Sequence, residues 1–130
     1  KNDLRAVSDA LQHYFVDYGE YPPSEMGKIV ACGSPNFVDG CQWGVGNFGD
    51  PDGTVYLARV PADPTAAQRG YWYETNGNRS RYKLYAALEN TRDDAINAGI
   101  TVEYCGGVEV RTVRCNYGIA NNNSDILLSL

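Results

Sequence analysis

The chain of 130 residues holds a single histidine, a single methionine and no Cys-x-x-Cys pair. Zinc ribbons and fingers use gaps of about two to four residues within each ligand pair, and nothing of that kind occurs. A cysteine nucleophile needs a base, and His13 could supply one only by tertiary accident. There is no phosphate-binding loop, no nucleophile elbow and no helical metal-ligand motif, so no enzyme is expected. No run of eighteen apolar residues is present, so no segment reads as a membrane span. A basic excess is lacking as well: 16 acidic residues stand against 11 basic ones, for a net charge of −5. The first 65 residues carry nine acids and four bases, the remainder seven of each. That balance excludes a general nucleic-acid binder. Arg69, Arg79, Arg81 and Lys83 form a small basic group, best read as the solvated face of a hairpin.

The strongest pattern opens the chain. Leu4, Val7, Leu11, Tyr14, Phe15 and Tyr18 recur at helical spacing and predict one amphipathic helix over residues 1–18. Gly19 suits a left-handed position just past its end, and Pro22 cannot continue it. No Ser, Thr or Pro marks its start. A helix with a clear end and no capped beginning leads us to expect that it belongs to a longer helix.

Four cysteines fall into two near pairs, Cys32 with Cys41 and Cys105 with Cys115. Three pairings are possible, and closeness in sequence favours these two. Each such disulfide would stabilise the fold by about 2.7 kcal/mol in a chain-entropy account. Disulfides point to the periplasm, the cell surface or the medium. Ten tyrosines, two tryptophans and three phenylalanines suit half-buried sheet faces and contact surfaces.

Residues 19–54 are dense in Pro, Gly, Asn and Asp and read as a long irregular loop, stapled by its disulfide and by Trp43 and Phe48 packed inward. Residues 54–60 read as a short helix ending at Pro61. Tyr71–Thr75 and Arg81–Leu88 flank an Asn-Gly insert, a hairpin signal. In the second strand Tyr82, Leu84, Ala86 and Leu88 face one way, while Arg81, Lys83, Tyr85 and Glu89 face the other. Residues 90–98 read as a turn. Ile100–Tyr104 and Val108–Val113 alternate as strands, and Gly106-Gly107 and the cysteine pair disagree about where the turn between them falls. Asn116–Ala120 reads as a last strand, with Ile126–Leu130 returning along an edge. The fold expected is a single α+β domain: one long N-terminal amphipathic helix packed on a small antiparallel sheet in residues 70–130, with the irregular loop between.

Hard-oxygen metal sites draw on Asp, Asn and Ser in loops. Asp50, Asp52, Asp93, Asp94 and Asp125, with the tract Asn121-Asn122-Asn123, are the weak calcium candidates. Asp50 and Asp52, like Asp93 and Asp94, read first as turn and capping residues.

Four stretches resemble type IV pilins and type II secretion pseudopilins, in that family's order. They are Asp3-Leu4-Arg5-Ala6-Val7 through Asp17-Tyr18-Gly19-Glu20-Tyr21-Pro22, then Tyr56-Leu57-Ala58-Arg59-Val60-Pro61-Ala62-Asp63-Pro64. Gly70-Tyr71-Trp72-Tyr73-Glu74 with Tyr82-Lys83-Leu84-Tyr85-Ala86-Ala87-Leu88-Glu89 follow, and Cys115-Asn116-Tyr117-Gly118-Ile119-Ala120 comes last. The resemblance implies a pilin-like head whose helix continues N-terminally into an apolar, methylated segment that anchors the precursor in the inner membrane. It implies a filament subunit, periplasmic or extracellular once assembled. Its partners would be copies of itself, other pilins or pseudopilins, and the inner-membrane assembly machinery. Leu4, Val7, Leu11, Phe15 and Tyr18 would pack the helix on the head, and residues 23–54 and 105–125 would carry subunit contacts. The alternative within the family is a minor subunit at a filament tip that binds DNA, a sugar or a surface. Major pseudopilins hold calcium in a C-terminal loop. Here the segment bounded by Cys105 and Cys115 occupies that region, so no cofactor is expected.

Overall fold

A computed structural model of the chain describes residues 2–33, 36–62, 71–88, 96–102, 104–105, 114–121 and 126–127. Helix α1 runs Asn2–Tyr18. Leu4, Val7 and Leu11 have no exposed surface, and Ala10 is buried beside them. Tyr14 and Phe15 are half-buried against the same core. Arg5, Asp9, Gln12 and His13 stay in solvent on the opposite face, as the periodicity requires. Gly19 adopts φ 73° and donates its N–H to the Phe15 carbonyl at 2.6 Å, closing the helix in the left-handed manner read from the sequence.

Among the described residues, two antiparallel sheets pack with this helix. The first has five short strands: β1 (Ser24–Glu25), β2 (Lys28–Cys32), β3 (Asp39–Gly40), β4 (Phe48–Gly49) and β5 (Val55–Leu57). Their order is β1-β2-β4-β5, with β3 also paired to β2. The stretch 19–54 is therefore a compact sheet where an irregular loop was expected. Four of these strands are only two or three residues long. No period-two pattern can build up over that length, and the pairing rests on turns and on the Cys32–Cys41 disulfide. The short helix expected at 54–60 is likewise absent. Val55 and Leu57 pair with Gly49 and Phe48 as an edge strand, and Val60 is buried with its N–H on the Gly46 carbonyl at 2.8 Å. A β-branched and an aromatic residue at 55 and 56 favour that outcome.

The β1–β2 loop holds two residues, Met26 at φ 50° and Gly27 at φ 78°. Both are left-handed, which this kind of hairpin demands. Glycine takes the conformation freely; for methionine it costs on the order of 1–2 kcal/mol.

The second sheet has three strands, β6 (Trp72–Thr75), β7 (Tyr82–Ala86) and β8 (Tyr117–Ala120), in the order β6-β7-β8. Trp72 pairs with Tyr85 and Thr75 with Tyr82, which realises the hairpin around Asn76-Gly77. Asn76 Oδ1 closes the turn by accepting the N–H groups of Ser80 at 2.8 Å and Arg81 at 3.0 Å. Tyr73, Tyr82, Leu84 and Ala86 face the main core with α1 and the first sheet. The reverse face is not left to solvent as a one-sided sheet would be. Tyr85 is buried there with Ala87, Ile100, Ala120 and Ile126, over the Cys105–Cys115 disulfide. Residues 96–102 cross that face without forming the strand expected at 100–104. The strand expected at 108–113 and the Gly106-Gly107 turn lie outside the described residues. So does most of the expected turn at 90–98, and Ile126–Leu127 forms a turn.

Candidate functional site

A tyrosine offers an apolar ring to a core and a hydroxyl to a partner at its edge. This chain uses that double character along the whole of α1. Tyr71 donates to Asp3 Oδ2 at 2.8 Å. Tyr82 and Ser8 share a hydrogen bond of 2.6 Å, and Tyr21 reaches Gln12 Oε1 at 3.5 Å. Tyr56 donates towards Asp17 Oδ2 at 2.6 Å, and Tyr18 to Asp52 Oδ2 at 3.0 Å. The partners come from both sheets and from the strand-to-strand turn at 50–54. Helix and head are thus joined by a buried aliphatic stripe with a row of hydroxyl contacts beside it.

The joint is densest at the C-terminal end of α1. Rings of Tyr14, Phe48 and Tyr56 meet at centroid distances of 5.4–5.9 Å. Phe15 packs on Tyr21, and Tyr21 on Tyr82. Glu20 forms an ion pair with Arg79, and Tyr21 N–H donates to the Arg79 carbonyl at 2.8 Å. The helix end is therefore tied to the β6–β7 turn as well as to β5.

Asp50 is the buried carboxylate of this region, 2% exposed. It accepts the Asp52 N–H at 2.8 Å, the Thr54 N–H at 3.1 Å and the Tyr56 hydroxyl at 2.8 Å. Burial pushes the Asp50 carboxyl up, but these donors together outweigh it and hold the group below the usual carboxylate range. Burial, then the contacts to Asp17 and Asp50, push the Tyr56 phenol far above its ordinary value. The turn Asp50-Pro51-Asp52-Gly53-Thr54 is thus fastened from inside by its first side chain. Asp50 and Asp52 serve as the turn residues their setting suggested.

Of the five side chains expected to pack the helix on the head, Leu4, Val7 and Leu11 are brought together in the core and Phe15 lies at its margin. Tyr18 does not join them. It is 38% exposed, with its ring 4.9 Å from Tyr14 and its hydroxyl on Asp52 in the turn at 50–54. Cys32–Cys41 and Cys105–Cys115 are both disulfides, so none of the four is available as a thiolate ligand. The calcium candidates Asp93, Asp94 and Asp125 lie outside the described residues. Among the described residues no group of three or more His, Cys, Asp and Glu side chains could hold a metal ion. Arg79 is engaged by Glu20, and Arg69 lies outside the described residues.

Two features went unseen in the sequence. Partnerships such as Asp17 with Tyr56 join residues 39 apart and leave no spacing signal. Met26 had a signal, the Met-Gly pair between Glu25 and Lys28, which is the two-residue loop of a hairpin. No protein-family model, no curated protein and no solved structure matches the chain.

Proposed function

We propose that this chain is the head of a filament subunit, of a type IV pilus or a type II secretion pseudopilus. The observation that carries the reading is the joint between α1 and the head. One helix is fixed along its length to a two-sheet, twice-stapled head, through a buried stripe and a row of tyrosine hydroxyls. A subunit that transmits movement from a helical filament core to a surface domain needs this rigidity, and an enzyme or a carrier does not. The resemblance of residues 3–22, 56–64, 70–74, 82–89 and 115–120 to pilins and pseudopilins supports the same reading. In it the chain performs no catalysis. It assembles with copies of itself and other pilins or pseudopilins, through an inner-membrane machinery, into a periplasmic or extracellular fibre. The reading requires that α1 continue into an apolar segment that anchors the subunit before assembly.

The test is made in the source cell. Deletion of the gene is expected to remove surface filaments or to stop the export of secreted proteins, and antibodies to the folded domain are expected to label fibres. Intact filaments and intact secretion after deletion, with the protein found only free in solution, overturn the proposal.

A further inference from the structure

Asn-Gly occurs once in the chain, at Asn76-Gly77 in the turn between β6 and β7. The pair has a chemistry of its own. Glycine carries no Cβ, so little hinders its backbone nitrogen from attacking the Cγ of the asparagine before it. Gly77 is also exposed, so water reaches it freely.

Asn76, by contrast, is bonded at every polar group. Its N–H donates to the Arg81 carbonyl at 3.3 Å, and its carbonyl accepts the Arg79 N–H at 3.0 Å. Its Oδ1 holds the N–H groups of Ser80 and Arg81, and its Nδ2 donates to Ser80 Oγ at 3.0 Å. To close a ring with the Gly77 nitrogen, the side-chain amide must turn about its own bonds. It cannot turn while both of its ends are fastened to residues 80 and 81.

We infer that Asn76 is a latent self-modification site: the folded turn withholds its amide from Gly77, and opening of the β6–β7 turn releases it to react. The Gly77 nitrogen bonds to Asn76 Cγ as the Cγ–Nδ2 bond breaks. Ammonia leaves with the electron pair of that bond and the proton of the Gly77 nitrogen, and a cyclic imide remains. Water then opens the imide. Breaking the bond to Cγ gives aspartate at position 76. Breaking the bond to the backbone carbonyl carbon gives isoaspartate, with the main chain rerouted through Cβ and Cγ. Water is the sole co-reactant.

The two products differ in what they do to the fold. Aspartate still offers oxygens to the N–H groups of Ser80 and Arg81. Isoaspartate lengthens the main chain by a methylene group, and the carbonyl that accepted the Arg79 N–H becomes part of a pendant carboxylate. Arg79 is the residue that ties the turn to α1. It is held at φ 55°, with its carbonyl on the Tyr21 N–H at 2.8 Å and its guanidinium on Glu20. A turn rebuilt at position 76 therefore loosens the end of the helix. The fraction converted records, irreversibly, how long the turn has stood open.

To test this, the 130-residue chain is incubated at mildly alkaline pH, folded or reduced in guanidinium chloride. Conversion at position 76 is followed by peptide mapping and by enzymatic methylation of isoaspartate. It is expected to be about tenfold slower, or more, in the folded chain. Ser80→Ala removes the acceptor of Nδ2. It should speed conversion several-fold in the folded chain and change nothing in denaturant. Gly77→Ala has room for its Cβ and no left-handed φ to strain, so it should fold and slow the reaction in both states. Equal rates in the two states overturn the inference. So does a faster reaction in the folded chain, which would mean that the N–H donors assist charge developing on Oδ1. An unchanged rate in Ser80→Ala, with native near-ultraviolet circular dichroism, overturns it too. In the purified isoaspartate form the amide resonances of Glu20 and Tyr21 should be displaced, and in Asn76→Asp they should not. Both resonances unmoved in the isoaspartate form would overturn the link to α1.

Discussion

Asp50 holds two amide N–H groups and a phenol with one carboxylate inside the head. Asp50→Ala leaves two amide N–H groups without their acceptor, while the Tyr56 hydroxyl keeps Asp17, and is expected to cost about 1–3 kcal/mol, read as a lower urea midpoint. Asp50→Asn keeps an acceptor oxygen and should cost less. Because the folded carboxyl lies below its unfolded value, its contribution is present above about pH 4. It fades as the pH falls through the lowered folded value. Acid titrations of stability should therefore flatten in Asp50→Ala. The tyrosines work in the opposite direction. Burial raises the phenols of Tyr21, Tyr73 and Tyr82, and burial followed by Glu74 pushes Tyr85 up to about 12. Their contribution is complete below about pH 10 and is lost as the pH climbs beyond it. Ultraviolet titration should show the exposed phenols ionising first and the buried ones only together with unfolding. The turn at Asp50-Pro51-Asp52-Gly53 was legible because each of its residues favours a turn for a local reason. The hydroxyl partners were not, since a phenol finds its acceptor only after helix and sheets have met.

Helix α1 and the hairpin of β6 and β7 could be read from the sequence because each is long enough to express a period. Leu4, Val7 and Leu11 repeat at helical spacing, and Tyr82, Leu84 and Ala86 alternate towards the main core. The five-stranded sheet could not, for strands such as Phe48–Gly49 are too short to alternate. The same shortness made Tyr56, Leu57 and Val60 resemble one face of a helix. Tyr85 reads only as facing away from the main core, because nothing in β7 itself reveals the second layer formed by Ile100, Ala120 and Ile126. What holds the short strands together is close packing at fixed points, and Gly27 is the most exacting of these. Gly27→Ala combines a left-handed φ with a clash against the Trp72 ring. It should destabilise by about 3 kcal/mol or more. Thermal melting followed by near-ultraviolet circular dichroism, to which Trp43 and Trp72 contribute, is the measurement. A melting temperature unchanged in Gly27→Ala would mean that the hairpin tip is not fixed by this contact.

Among the described residues the buried side chains form two cores, and each contains one disulfide. Cys32–Cys41 lies in the main core and Cys105–Cys115 in the second. Reduction is expected to lower stability by about 2.7 kcal/mol per bridge in the chain-entropy account. Denaturant curves with and without reductant measure it. With a net charge of −5 and its helix stripe already occupied, the domain should scatter light as a monomer at micromolar concentration. A stable large oligomer under those conditions would place a self-association surface on this domain itself. The row of hydroxyl contacts on α1 has a further consequence, which concerns the direction of a pull. Asp3, Ser8, Gln12 and Asp17 are each gripped from the head, spaced along nearly the full length of the helix. Tension parallel to the helix axis loads all four grips at once, as rivets in a lap joint share shear. The same tension turned across the axis peels them in succession, each failing before the next is strained. The domain should therefore resist extension along α1 far better than lifting of either end of the helix.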